Sequence, residues 1–172
     1  MRNSCVATRS VSRLAGSAVL FLASACAAIR PASILEEYNP DATATAVRLA
    51  VEQFHDGLRT RNIEKILTTF ITDTSFRAYD GDEGWLTFDN IRLQDAAAFR
   101  RLRSVSIHLD SLSIAVLDPS AAVVSSNLRE SFTDSAGHER RLRVTQTMVW
   151  TRRAEGWRIA HLHSSEVPDS TR

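Results

Sequence analysis

The sequence is poor in the motifs that usually announce a reaction. There is no CxxC, no Gly-rich phosphate loop and no nucleophile elbow, so ready-made redox, phosphate-binding and acyl-transfer signatures are missing. Cysteine is scarce, with 2 in 172 residues, Cys5 and Cys26. Lysine is scarcer, since Lys65 is the only one and nearly all positive charge is arginine. The net charge is +1, without the basic stripe that would neutralise phosphates, which argues against a nucleic-acid partner. No apolar run approaches the roughly 20 residues of a spanning helix.

What the N-terminus does have is an export pattern. Arg2, Arg9 and Arg13 form an acid-free positive region, Leu14 to Leu22 is a short apolar run, and Ala23-Ser24-Ala25 is an A-x-A cleavage signature. Cys26 follows directly, and Leu-Ala-Ser-Ala-Cys resembles the lipobox of bacterial lipoproteins, with Ala23 where the usual Leu stands. Residues 1–25 are thus expected to be a signal peptide of lipoprotein type, with Cys26 lipidated; plain secretion by cleavage at the A-x-A site is the alternative. Either places the protein outside the cytoplasm, in the cell envelope or periplasm or secreted. Cleavage removes Cys5 and three arginines, leaving no disulfide pair and a slightly acidic chain. Any membrane contact would run through the N-terminal lipid alone.

Residues 26–41, broken by Pro31 and Pro40, read as a tether, and 169–172 as a tail. Between them, 42–168 suffices for one domain. Asp41 is a plausible N-cap for a helix from about Ala42 to Arg61, with Val47, Val51, Phe54 and Leu58 on one face. Gly57 there is tolerable if a neighbouring backbone packs close. A short helix carries Ile63, Ile66, Leu67 and Phe70, capped by Asn62. Thr74 to Tyr79 reads as a strand, and a third helix is expected over about Arg92 to Arg103, with Leu93, Ala96, Phe99 and Leu102 inward. Four long strands follow, over 106–117, 121–132, 138–152 and 157–167, separated by turn signals. Helices first and hairpins afterwards predict an α+β fold with the helices on one face of an antiparallel sheet.

This order of elements resembles the nuclear transport factor 2-like superfamily, which includes SnoaL-like cyclases, ketosteroid isomerase and scytalone dehydratase. The most specific stretch runs from Met148 to Ser165, with Val149-Trp150, Arg152-Arg153, Trp157 and His161-Leu162-His163-Ser164-Ser165. It is similar to the closing hairpin of the calcium/calmodulin-dependent protein kinase II association domain. The resemblance implies a cystatin-like cone of about three helices on a strongly curved antiparallel sheet, enclosing a conical cavity, and often a homodimer or ring. Where the association domain has cavity arginines this chain has Met148 and Leu128, so that anion-binding pattern is not kept.

Strand alternation puts Trp157, Ile159, His161 and His163 on one face, which makes the two imidazoles the leading candidates for a pocket or for proton transfer. Val144, Gln146, Met148 and Trp150 alternate on the neighbouring strand; with Trp157 and Phe54 they are the expected ligand-binding wall, or ordinary core. A carboxylate partner would come from Asp73, Asp80, Asp110 or Glu130. Asp73 follows the second helix, where ketosteroid isomerase-type enzymes take their base, and Glu130 shares parity with Leu128 and Phe132. No metal site or cofactor is expected. Three functions are open: a small-molecule binder with a largely apolar pocket, a cofactor-free isomerase, cyclase or dehydratase, and an assembly module.

Overall fold

The computed structural model describes residues 38–81 and 83–169; the stretches expected to be a signal peptide and a tether, with Cys26, lie outside them up to residue 37. Helix α1 (Pro40–Arg59) starts one turn position earlier than its hydrophobic spacing implies, because Asn39 rather than Asp41 is the N-cap. The Asn39 side chain accepts from the amides of Asp41 and Ala42, with Pro40 in the first turn where its missing N–H costs nothing. Its inward stripe is Val47, Val51, Phe54 and His55. Helix α2 (Ile63–Leu67), capped by Asn62, folds back on α1 at Gly57. A Cβ at Gly57 would lie 2.8 Å from Ile66 Cγ1 and 3.2 Å from its backbone nitrogen, so only glycine lets the two helices approach this closely.

Strands β1 (Arg77–Asp80) and β2 (Gly84–Leu86) form a small hairpin where a single strand was expected. Helix α3 (Phe88–Phe99) begins four residues before its expected start, because Thr87 and Asn90 form a reciprocal capping box. That offset changes the inward face: Ile91 is buried, whereas Leu93 is 61% exposed.

The four long strands are β3 (Leu102–Asp118), β4 (Ala121–Asp134), β5 (Glu139–Arg153) and β6 (Gly156–Pro168). The six-stranded sheet has the order β2-β1-β6-β5-β4-β3, antiparallel throughout except that β1 runs parallel to β6. Register shifts interrupt the β3–β4 ladder at three places and the β5–β6 ladder at one, each bending its strands so that the sheet curls around the helices. This is the expected α+β architecture, with helices on the concave side. Among the described residues, no helix is long and apolar enough to cross a membrane.

Period-2 burial along β4 and β5 fixes the inner face. Ala122, Val124, Ser126, Leu128 and Glu130 point inward from β4, and Leu142, Val144, Gln146, Met148 and Trp150 from β5. The main core gathers at one end, where Trp150, Met148 and Ile159 are fully buried against Val47, Val51 and Phe70.

Candidate functional site

Cross-strand register turns the inner face into rows whose chemistry changes along the cone. The innermost row is Ala122, Trp150 and Ile159, which bridges to Phe70. Next come Val124, Met148, Leu162, Ala78 and Leu86. The third row is polar on four adjacent strands: Ser126, Gln146, Ser164 and Asp80 stand side by side across β4, β5, β6 and β1. Beyond it Glu130, Glu166 and Leu142 reach the mouth.

A cavity of about 540 Å³ opens over the polar row. Its apolar walls come from Phe54 and Leu58 of α1, Ile91 and Phe99 of α3, Phe132 of β4 and Leu162 of β6. Gln146, Ser164 and Asp80 line it from the sheet. Its carboxylates are Asp80, Glu83, Asp95, Glu130, Asp134, Glu139 and Glu166, set against one arginine, Arg140. A pocket of this size and composition is the usual form of a small-molecule site.

Electrostatics single out two of these carboxyls. Burial pushes Glu130 up to about 7, and the nearby charges of Glu166 and Asp80 add to the effect. Burial likewise raises Asp95 to about 6, helped by Glu83 and Asp80. Among the described residues neither has a cation or a hydrogen-bond donor to pull it back down, so each holds its proton into the range where proton transfer is easy. On the floor of the polar row, burial holds the His55 imidazole down to about 4, reinforced by the charge of Arg59 and only partly opposed by Gln146. His55 is therefore neutral at physiological pH. The Gln146 side chain lies beside it, but no bond of normal geometry joins the two: His55 Nε2, Gln146 Oε1 and Ser126 Oγ are buried without a protein partner. Unsatisfied polar atoms are costly in a closed core, and Gln146, which lines the cavity, gives an occupant something to bind.

The two leading histidines do not line this cavity. At Ala160 the β5–β6 ladder gains an extra residue, since Trp150 pairs with Ile159 but Val149 pairs with His161. The bulge reverses parity, so Leu162 and Ser164 face inward and the histidines outward. There they join an aromatic cluster on the convex face: His163 packs edge-on against Tyr79 at 5.1 Å between centroids, and His161 lies 6.0 Å from Trp85. Asp73 is also away from the cavity, in an exposed turn. Its carboxyl accepts from Ser75, which holds it below the usual carboxylate range, and it pairs with Arg153 at 3.5 Å. Asp110 is bound to Arg129 and His108 on the outer face.

Met148, Trp150 and Trp157 face inward but are buried at the closed end, so they are packing rather than lining. Phe54, Gln146 and Glu130 line the cavity. Asp95 and His55 escaped the sequence reading, although each left a trace. Asp95 lies four residues after Ile91, and His55 four after Val51, which puts a titratable side chain on an otherwise apolar stripe. Among the described residues, no group of three His, Cys, Asp or Glu side chains is placed to hold a metal ion.

Fold comparison agrees with the architecture. A candidate dehydratase of the nuclear transport factor 2-like family from Streptomyces avermitilis superposes with a TM-score of 0.67 at 17% identity, over 75% of this chain and 99% of that one. A nuclear transport factor 2-like superfamily protein from Salmonella enterica gives 0.68 at 14%, over 77% and 96%. A candidate calcium/calmodulin-dependent protein kinase II association domain from Xanthomonas campestris gives 0.62 at 18%, over 72% and 86%. At these identities the likeness is one of fold. No curated protein matches the sequence. The family model for the SnoaL-like domain matches residues 47–170, which span every element lining the cavity. The chain is a member of the SnoaL-like domain family, and its fold is that of nuclear transport factor 2-like structures.

Proposed function

We propose that the cone binds a small, largely apolar molecule whose polar end meets the row of Gln146, Ser164 and Asp80. The observation that carries this is the cavity itself, about 540 Å³ with Phe and Leu walls and the unpaired Gln146 Oε1 on one side. In this reading Cys26 carries lipid and the tether holds the domain off a membrane surface in the cell envelope; a Cys26→Ser variant would then lose fatty-acid incorporation and membrane fractionation. Native mass spectrometry of protein purified from its own host tests the binding itself. A released small molecule, lost when Leu162→Trp fills the cavity, supports the reading. Bare protein that also takes up nothing from a library of apolar molecules refutes it.

A second reading is cofactor-free proton transfer, as in an isomerase, cyclase or dehydratase. One observation favours it: Glu130 faces the cavity with its carboxyl pushed up to about 7. The chemistry would then rest on Glu130, with Asp95, rather than on His161 or His163. Its signature would be a turnover rate rising through pH 7 as Glu130 ionises, and abolished in Glu130→Gln.

A further inference from the structure

The ligand's chemical class follows from what the cavity presents to it, given that the cavity binds a small molecule at all. We infer that the occupant is an organic cation, an apolar or aromatic body carrying a protonated amine, seated with the amine at the Glu130–Asp95 mouth.

Three observations on independent parts of the wall point the same way. First, the charges are one-sided. Arg140 pairs with Glu166 at 3.5 Å, and His138 with Asp134 at 3.0 Å. Arg141, outside the cavity, pairs with Glu139 at 2.9 Å. Among the described residues Glu83, Asp95 and Glu130 form no ion pair, and each of these three lines the space. Asp80 lines the same space, and its charge raises both Asp95 and Glu130. Such an arrangement strains itself when ionised and is relieved by a cation placed among the carboxylates.

Second, Gln146 is only 6% exposed, lines the cavity, and leaves its Oε1 without a donor. An acceptor beside a set of carboxylates asks for an occupant rich in N–H donors. An anion would meet repulsion, and a ketone or ether would offer no donor to Gln146 Oε1. Third, the space is too apolar for a bare ion. Phe54, Phe70, Phe99 and Phe132 line it, while among the described residues no trio of side chains is arranged for a metal. Aromatic walls suit the hydrocarbon part of an amine and lend their faces to its charge.

Calorimetry with three probes of one shape tests this: 4-(2-naphthyl)butylamine, the matching alcohol and the matching carboxylic acid. At pH 8 the amine is expected to bind about tenfold or more tighter than the alcohol, the gain of a charge-assisted contact, and the acid weakest. At pH 6.5, titrations in buffers of different ionisation enthalpy should show the amine expelling between about 0.5 and 1 proton, because the cation forces Glu130 and Asp95 to ionise. The alcohol should expel none. In Glu130→Gln, checked for folding by circular dichroism, the amine should lose more affinity than the alcohol; Asp95→Asn gives a second reading if that variant misfolds.

Tight alcohol binding with no preference for the amine would overturn the inference and leave the binding site standing. Failure of all three probes would overturn both. Proton release by the alcohol equal to that by the amine would show that the carboxyls ionise on binding without a cation beside them, which overturns the inference as well.

Discussion

The closed end of the cone and its mouth are built from the same strands, yet they do opposite work. Along β4 the inward side chains run Ala122, Val124, Ser126, Leu128, Glu130, and along β5 Trp150, Met148, Gln146, Val144, Leu142. At the Trp150 end the three helices and the sheet close on one another, and every inward group is apolar. From there to Glu130 on β4 and Leu142 on β5, the walls part around about 540 Å³ and the inward groups include a carboxyl that keeps its proton near neutrality. The closed end supplies stability that the mouth gives up. Strain at a ligand site is tolerable only while the packing behind it is intact.

The largest effect should follow from breaking the closed end. Trp150 is fully buried and its Nε1 has no partner, so truncation removes packing and no hydrogen bond. Trp150→Ala is expected to cost about 3–5 kcal/mol in urea denaturation, from lost burial plus the cavity left behind. A loss below about 1 kcal/mol would mean that this end is as loose as the mouth.

Relieving the mouth should have the opposite sign. Folding raises Glu130 from 4.5 to about 7, so its contribution to stability is complete below pH 4.5 and is lost as the pH climbs through 7. Glu130→Gln keeps the shape and removes the ionisation. Relative to the native protein it should be neutral at pH 4, gain progressively between pH 4.5 and 7, and level off at about 3 kcal/mol above that. Thermal melts across this range would show the curve, and a variant destabilised at pH 8 would mean that Glu130 makes a favourable contact in its charged form. His55 titrates with the other sign: held down to about 4, it costs stability as the pH falls from 6.5 toward 4.

A smaller effect tests how the helices reach the closed end. A methyl group at Gly57 must push against Ile66 Cγ1 and the Ile66 backbone, a cost of about 1–3 kcal/mol. Alanine's better helix propensity returns about 1 kcal/mol of that. Gly57→Ala should therefore be destabilising by about 1 kcal/mol net, whereas a gain would show that α2 can step away from α1 freely.

Much of this division was legible beforehand, because two periods carry it. The 3.6-residue spacing of Val47, Val51, Phe54 and Leu58 and the alternation of Leu128, Glu130 and Phe132 placed α1 and the inward side of β4 from residues alone. Alternation fails wherever a strand gains a residue, and nothing in Ile159-Ala160-His161 marks the bulge that turns the histidines outward. Asp95 was hidden differently: the capping box at Thr87 starts α3 early, which rotates the inward stripe from Leu93 to Ile91 and brings Asp95 with it. The existence of an open cavity was legible only through resemblance, since it depends on how far α3 stands from the sheet.

The smallest effect belongs to the outward histidines, and it is the sharpest check on the bulge. His163 is exposed and His161 half-buried, each held by one aromatic neighbour on the convex face rather than by the core. Their truncation removes surface contacts to Tyr79 and Trp85, so His161→Ala and His163→Ala should each change stability by less than about 0.5 kcal/mol. Neither should alter affinity for a cavity probe by more than about twofold, since Leu162 and Ser164 are the β6 residues that line the space. Leu162→Ala, made alongside, should weaken the same probe by removing wall. A loss of binding in the histidine variants with Leu162→Ala silent would put the imidazoles inside the cone and move the bulge past His163.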